Sequence, residues 1–234
     1  GIHPFTWGSP YMMTLFDKYL PGWANEPELL VRVDIIPDRE IQDAHAGAKA
    51  YLFQYIEETT GAKFDPEILT IGFARRATAY KRANMIFNDP ELLKKIGAGK
   101  LQLVFAGKAH PHDDYGKKMI QEIRNQADFF GDDLKIVYLP NYNMDVASRL
   151  IPGVDIWLNN PLRPLEASGT SGMKAALNGV PNFSVLDGWW IEGHIEGITG
   201  WSIGPPPTET TTDVNHSDED VEDLYKKLEK TIIP

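Results

Sequence analysis

The sequence predicts an α/β fold, a parallel sheet with helices on both faces. Three observations carry that prediction. Short apolar runs alternate with helical patterns from Ile68 to Leu186, the rhythm of parallel strands joined by crossover helices. The runs are apolar throughout, as strands covered on both faces require. Polar and charged residues gather where each run ends, and open α/β sheets bind ligands there.

Residues 1–60 read as a helical lead-in. Ser9-Pro10 is a cap followed by proline in the first turn, and Met12, Met13, Leu15, Phe16 and Leu20 give an apolar face. Pro21-Gly22 stops this segment. A longer helix is expected from Arg39 to Thr59, with Ile41, Ala44, Ala48, Leu52 and Ile56 on one side.

Residues 61–204 read as a Rossmann-like domain. Strands are expected at Ile68 to Ala74, Leu101 to Ala106, Lys135 to Leu139, Val154 to Leu158 and Asn182 to Leu186. Helices are expected at Thr78 to Ile96, Tyr115 to Phe130, Met144 to Ile151 and Gly169 to Leu177. Residues 205–216 are rich in Pro, Thr and Asp and read as a surface loop. Ser217 then caps a last helix with Asp218, Glu219 and Asp220 in its first turn and Lys226, Lys227 and Lys230 late. That order suits the helix dipole, and the helix reads as structural.

The 234 residues suffice for a sizeable core, and 42% hydrophobic with 24% charged content is ordinary globular composition. The net charge of −10 argues against general nucleic-acid binding, which needs a basic footprint. The absence of cysteine removes disulfides, thiolate metal sites and cysteine nucleophiles, and fits a cytoplasmic location. No run has membrane-spanning length and no signal peptide is visible. The chain opens on Gly1 and stops after Pro234 just past a helical pattern, so it is expected to be a piece of a longer protein.

The densest chemistry lies in Glu166-Ala-Ser-Gly-Thr-Ser-Gly-Met-Lys174. A helix opening at Gly169 would present unpaired N–H groups and partial positive charge to an anion. Glycine lets a ligand approach the backbone. Lys174 could add charge, or its amine could bond covalently to a carbonyl cofactor. A second cluster, Arg75, Arg76, Lys81 and Arg82, puts four cations into eight residues of an acidic chain. Like charges so placed call for a compensating anion, the more so at the start of the predicted helix, whose dipole opposes them. His110 and His112 form too sparse a pattern for a metal site, and no metal is assigned.

The stretch from Glu166 to Lys174 also closely resembles the cofactor-lysine motif of the α-glucan phosphorylases, which cleave glycogen, starch or maltodextrin with inorganic phosphate. Residues 74–82 resemble that family's substrate-phosphate segment, with Ala79-Tyr80-Lys81-Arg82 in place of a family Glu-Tyr-Lys-Arg. Gly107-Lys108-Ala109, Asn141-Tyr142, Asp187-Gly188 and Gly1-Ile-His-Pro-Phe-Thr-Trp7 match further family segments in order. The resemblance spans residues 1–204 and is nearest the shorter microbial branch. The chain departs from longer members at Thr78 and Ala79, where they carry His-Glu, and at Ser171-Gly172, where they carry Gly-Asn.

The resemblance implies the C-terminal, Rossmann-like domain of a two-domain GT-B-type glycosyltransferase. It implies that Lys174 carries pyridoxal 5′-phosphate, with Arg75, Tyr142, Thr170 and Ser171 about the cofactor. Arg76 and Lys81 would hold the attacking inorganic phosphate. Tyr80, Glu166, Ser168 and Gly169 would contact the sugar of an α-1,4-glucan. The product would be glucose 1-phosphate, formed with retention, and the fragment would be inactive alone. A homo-oligomer of the full-length protein is left open. Two other readings remain: a nucleotide-sugar glycosyltransferase of the same architecture, and a non-catalytic glucan-binding module drawing on the 11% aromatic content.

Overall fold

The computed structural model describes residues 1–207 and 217–234. Most of the loop expected at 205–216 lies outside the described residues. The lead-in contains α1 (Pro4–Trp7), α2 (Pro10–Tyr19), a 3₁₀ stretch at Pro27–Ile35 and α3 (Asp38–Thr60). The Ser9 hydroxyl accepts from the Met12 N–H, with Pro10 at the first helical position, so the cap forms as expected. Gly61 ends α3 with φ 77°, a left-handed conformation that suits glycine.

Six parallel strands follow: β1 (Leu69–Ala74), β2 (Leu101–Ala106), β3 (Ile136–Leu139), β4 (Ile156–Asn159), β5 (Asn182–Val185) and β6 (Gly200–Ile203). Their order across the sheet is β3-β2-β1-β4-β5-β6. The chain fills one wing outward from β1, then crosses back to start the other wing at β4. The switch therefore falls between β1 and β4. The remaining helices are α4 (Pro90–Gly97), α5 (Asp114–Phe130), α6 (Met144–Gly153), α7 (Thr170–Leu177), α8 (Trp190–Gly193) and α9 (Ser217–Lys227), which runs into a π-helical turn at Leu228–Ile232.

Both faces of the sheet are covered. On one, Phe73, Phe105, Leu158 and Phe183 pack with Met119 and Ile123 of α5 and Leu224 and Tyr225 of α9. On the other, Ala74, Val104, Leu139 and Trp157 pack with Leu52 and Ile56 of α3, Leu150 of α6 and Ala175 of α7. A third apolar group joins α2 to α3 through Phe16, Trp23 and Ala44. The Rossmann-like sheet with two helical layers is the fold expected from the sequence.

Two expectations are corrected. The helix predicted from Thr78 to Ile96 does not form as one element. Two short 3₁₀ turns, Ala79–Lys81 and Met85–Phe87, precede α4, whose own start is set by the Asp89 side chain accepting from Leu92 N–H and by Pro90. The intervening backbone spends its hydrogen bonds on other loops. Ala77 N–H donates to Lys108 O (3.3 Å), Leu162 N–H to Tyr80 O (2.7 Å), and the Asn160 amide to Arg82 O (2.7 Å). The cations of this segment are thus held in an irregular loop, and the argument from an opposing helix dipole does not apply to them. The sixth strand was not anticipated. It is a short edge strand containing Ser202 and a half-buried Trp201, without the continuous apolar run of the others.

Candidate anion and cofactor site

The site forms at the carboxyl ends of β1 and β4, on the switch point. β1 delivers Arg75 and Arg76 directly from its end, and the loop beyond brings Tyr80 and Lys81 back toward the sheet. Leu162 N–H holds Tyr80 O, so the loops after β1 and β4 are tied together. The β4 side supplies Glu166, Ser168 and Gly169 and then α7. A cavity of about 410 Å³ is lined by Arg75, Arg76, Tyr80, Lys81, Glu166, Ser168, Gly169, Thr170 and Ser171. Every lining residue is one of the candidates read from the sequence.

Glu166 is the electrostatic hub. Its Oε2 accepts from the Arg75 guanidinium and from Lys81 Nζ at 2.5 Å, and all three side chains are at least 90% buried. Burial alone would push its carboxyl up. The Arg75 charge and the hydrogen bonds from Lys81 and Arg75 outweigh that and hold it below its ordinary 4.5. The backbone of Glu166 is fixed as well, since its N–H donates to Asp187 Oδ2 (2.9 Å). Asp187 also accepts from Gly188 N–H (3.0 Å), and burial raises its carboxyl above the ordinary value. Against one carboxylate the cavity wall carries three cations, Arg75, Arg76 and Lys81, and Arg76 is exposed to the cavity mouth. This surplus positive charge suits an anionic ligand.

α7 adds its N-terminus. Gly169 occupies the N-cap at φ 83°, and no side chain caps the helix. The Ser171 hydroxyl lies within 3.3 Å of both Arg75 NH2 and Trp157 Nε1. Gly172 is required by packing, because a Cβ there would stand 2.5 Å from Asn182 Oδ1 and 2.6 Å from Trp189 Nε1. Trp189 is thereby laid against the helix start, while Trp190 is 1% exposed and belongs to the core.

Lys174 and Tyr142 lie outside the cavity lining. Lys174 is one turn along α7 from Thr170 and Ser171, on their side of the helix. Its Nζ lies 3.6 Å from the centroid of the Trp7 ring, and burial lowers the pKa of its amine from the ordinary 10.5. Tyr142 is half-buried, and burial pushes its hydroxyl up to about 12 against the opposing charge of Arg75. Lys108 is exposed. Its carbonyl accepts from Ala77, and Gly107 before it has φ 144°; a Cβ there would overlap the Arg75 carbonyl at 1.9 Å. The Gly107–Lys108 loop thus braces the segment that carries Arg75. Buried amides knit these loops further: Asn160 donates to both Lys81 O and Arg82 O, and Asn182 donates to Gly172 O in α7.

Sequence reasoning did not single out Trp7, Trp157 or Asp187 as site residues. Asp187-Gly188 was visible as a polar pair after the fifth strand. Trp7 closes the Gly1–Trp7 family match and Trp157 lies in an expected strand, but neither gave a sign of its partner, which each meets only through the tertiary fold.

A doubly wound sheet with a cationic cleft and an uncapped helix at its switch point defines an α/β protein of the Rossmann type. The chain belongs to the carbohydrate phosphorylase family, whose sequence profile matches residues 21–198. It is 41% identical to a maltodextrin phosphorylase of Thermococcus litoralis, over all of this chain and 30% of that protein. It is 40% identical to a glycogen phosphorylase of Aquifex aeolicus, over all of this chain and 37% of that protein. A glycogen phosphorylase of Mycobacterium tuberculosis is 46% identical over 73% of this chain and 20% of its own length. The chain therefore spans about a third of the length of the first two relatives. No helix among the described residues is long and apolar enough to cross a membrane.

Proposed function

We propose that this chain is the Rossmann-like part of an α-1,4-glucan phosphorylase, which cleaves the glucan with inorganic phosphate to release glucose 1-phosphate with retention. The observation that carries the reading is the convergence of Arg75, Arg76, Lys81 and the α7 N-terminus on one cavity at the switch point. The names of the relatives support the same chemistry. The isolated fragment is inactive in this reading, because the rest of the protein completes the cleft.

The residues fit pyridoxal 5′-phosphate. Lys174 offers an amine whose protonated form burial disfavours, the condition for a lysine that bonds to a carbonyl group. Arg75 has a buried Nε without a partner, and α7 has no side-chain cap. In this reading Lys174 carries the cofactor, with Thr170, Ser171, Arg75 and Tyr142 beside it. When bound, pyridoxal phosphate supplies a phosphate group that supports proton exchange with the substrate phosphate.

Arg76 and Lys81 hold the substrate phosphate. Its proton passes to the glycosidic oxygen as the bond to C1 breaks, and a phosphate oxygen then bonds to C1. Glu166 and the Ser168 and Gly169 backbone orient the sugar, with Tyr80 alongside. Two phosphates in one dry cleft repel strongly, and the surplus cations offset that repulsion. Glu166 holds Arg75 and Lys81 in place until ligand arrives, so the donors need no reorganisation.

The test is to treat the full-length protein with pyridoxal phosphate, reduce with borohydride, and map the modified lysine by peptide mass spectrometry. Labelling confined to Lys174, with glucose 1-phosphate released from maltodextrin and phosphate, is the expected result. Scattered or absent labelling would overturn the assignment in favour of a cofactor-free nucleotide-sugar transferase.

A further inference from the structure

Helix α9 reaches the site from behind. Asp220, in its first turn and 1% exposed, receives two arginines at once. Arg82 NH2 lies 2.8 Å from Asp220 Oδ2, and Arg163 NH2 lies 2.9 Å from Oδ1. Arg163 NH2 also donates to Ile203 O at 3.0 Å. The two arginines belong to the two loops that carry the cavity's opposed charges. Arg82 directly follows Lys81, and Arg163 stands three residues before Glu166.

The coupling to those loops is through backbone. Arg82 has φ 49°, a left-handed conformation uncommon outside glycine. It is kept there by the Asn160 amide on its carbonyl (2.7 Å), and by its own Nε and NH2 donating to Asn160 O (2.9 Å) and Pro161 O (2.8 Å). The carboxylate fits against bare backbone, for a Cβ on Gly204 would stand 1.8 Å from Asp220 Oδ1. Attaching α9 does not need this arrangement, because Leu224, Tyr225 and Leu228 already bury it in the core. A buried carboxylate between two guanidiniums is weak evidence for stability and better evidence for a fixed geometry.

We propose that Asp220 is a positioning residue. By bridging Arg82 and Arg163 it offsets their mutual repulsion and sets the separation of Lys81 from Glu166, and with it the affinity of the site for inorganic phosphate. The inference rests on the phosphorylase reading above. Without the carboxylate, two buried like charges face each other and repel, and the loops that carry them part. Small displacements of donors are expensive: misplacement of about 1 Å costs on the order of a hundredfold in rate.

The experiment uses the full-length enzyme and measures phosphorolysis against phosphate concentration. Inactivity of the wild-type enzyme would sink the phosphorylase reading itself. Given an active wild type, Asp220→Asn is expected to raise KM for phosphate by on the order of tenfold or more. Arg163→Lys, which keeps the charge and loses the forked contact, is expected to move it the same way by less, and stands in if Asp220→Asn fails to fold. Tyr225→Phe is the control. It removes the hydroxyl that donates to Ile86 O (2.5 Å) and accepts from Asp89 N–H (2.9 Å), loosening α9 without touching the arginines. It is expected to lower Tm and leave phosphate KM unchanged. Phosphate KM unmoved by the Asp220 and Arg163 substitutions, or raised equally by Tyr225→Phe, would overturn the proposal.

Discussion

The amine of Lys174 sits 3.6 Å from the centre of the Trp7 ring, so the first helix of the chain walls in a lysine far along the sequence. Asn178 strengthens the arrangement by donating to both Trp7 O and Lys174 O, at 2.8 Å each. Trp7→Ala is expected to open the amine to water and return its pKa toward the ordinary 10.5, since burial is what lowers it. In wild type the native state binds fewer protons here than the unfolded chain does, so stability rises with pH as the solution approaches 10.5 from below. Denaturant midpoints across alkaline pH should show that rise in wild type and a shallower one in Trp7→Ala and Lys174→Met.

Glu166→Gln should leave Arg75 and Lys81 buried without their counter-charge. A loss of about 3–5 kcal/mol is expected from urea unfolding, the range for breaking a buried pair. The pH dependence has a definite sign. The carboxyl is held below its ordinary 4.5, so its stabilisation is present above that value and fades as pH falls through the lower folded value. The Gln variant should lack that acid-side decline.

Added inorganic phosphate should recover part of the stability lost in Glu166→Gln, because an anion in the cavity supplies the missing charge. A thermal-shift titration with phosphate, with chloride at matched ionic strength as the blank, reads this directly. A phosphate response no larger than the chloride response would count against an anion site.

Lys81→Ala in the full-length enzyme is expected to cost on the order of 2–4 kcal/mol of transition-state stabilisation, seen as a fall in kcat/KM for phosphate. An unchanged rate and phosphate dependence would remove Lys81 from the site.

Gly107→Ala should displace Arg75, since the added Cβ would overlap the Arg75 carbonyl at 1.9 Å. A loss of about 1–3 kcal/mol of stability is expected, from a strained backbone position that also must shift. Phosphate binding by calorimetry should weaken in the same variant.

The strands that read as apolar runs appear within two residues of their expected bounds, because each is buried on both faces and burial dictates composition. Lys135 and Val154 fall outside their strands; beside the latter, Asp155 is occupied by Lys49 and by Thr70 N–H. The helix expected from Thr78 failed for a reason periodicity cannot express: the loop's carbonyls and amides are claimed by Asn160, Leu162 and Lys108. The Asp89-Pro90 cap that starts α4 was passed over, because the helix was read straight through it. The residues of the cavity were legible because their types cluster locally. Their pairing was not, since Arg75 meets Glu166 across 91 residues and Asp220 meets Arg82 from helix α9, far along the sequence.

The switch in strand order has a temporal consequence. Synthesis runs from the N-terminus, so the wing carrying Arg75 and Lys81 leaves the ribosome before the wing carrying Glu166 and α7. For that interval the cations have no carboxylate to meet and remain hydrated, and the left-handed turn at Arg82 has no Asn160 to hold it. The charged cleft can therefore close only after both wings are present, and its ion pairs then add side-chain ties to the β1–β4 pairing.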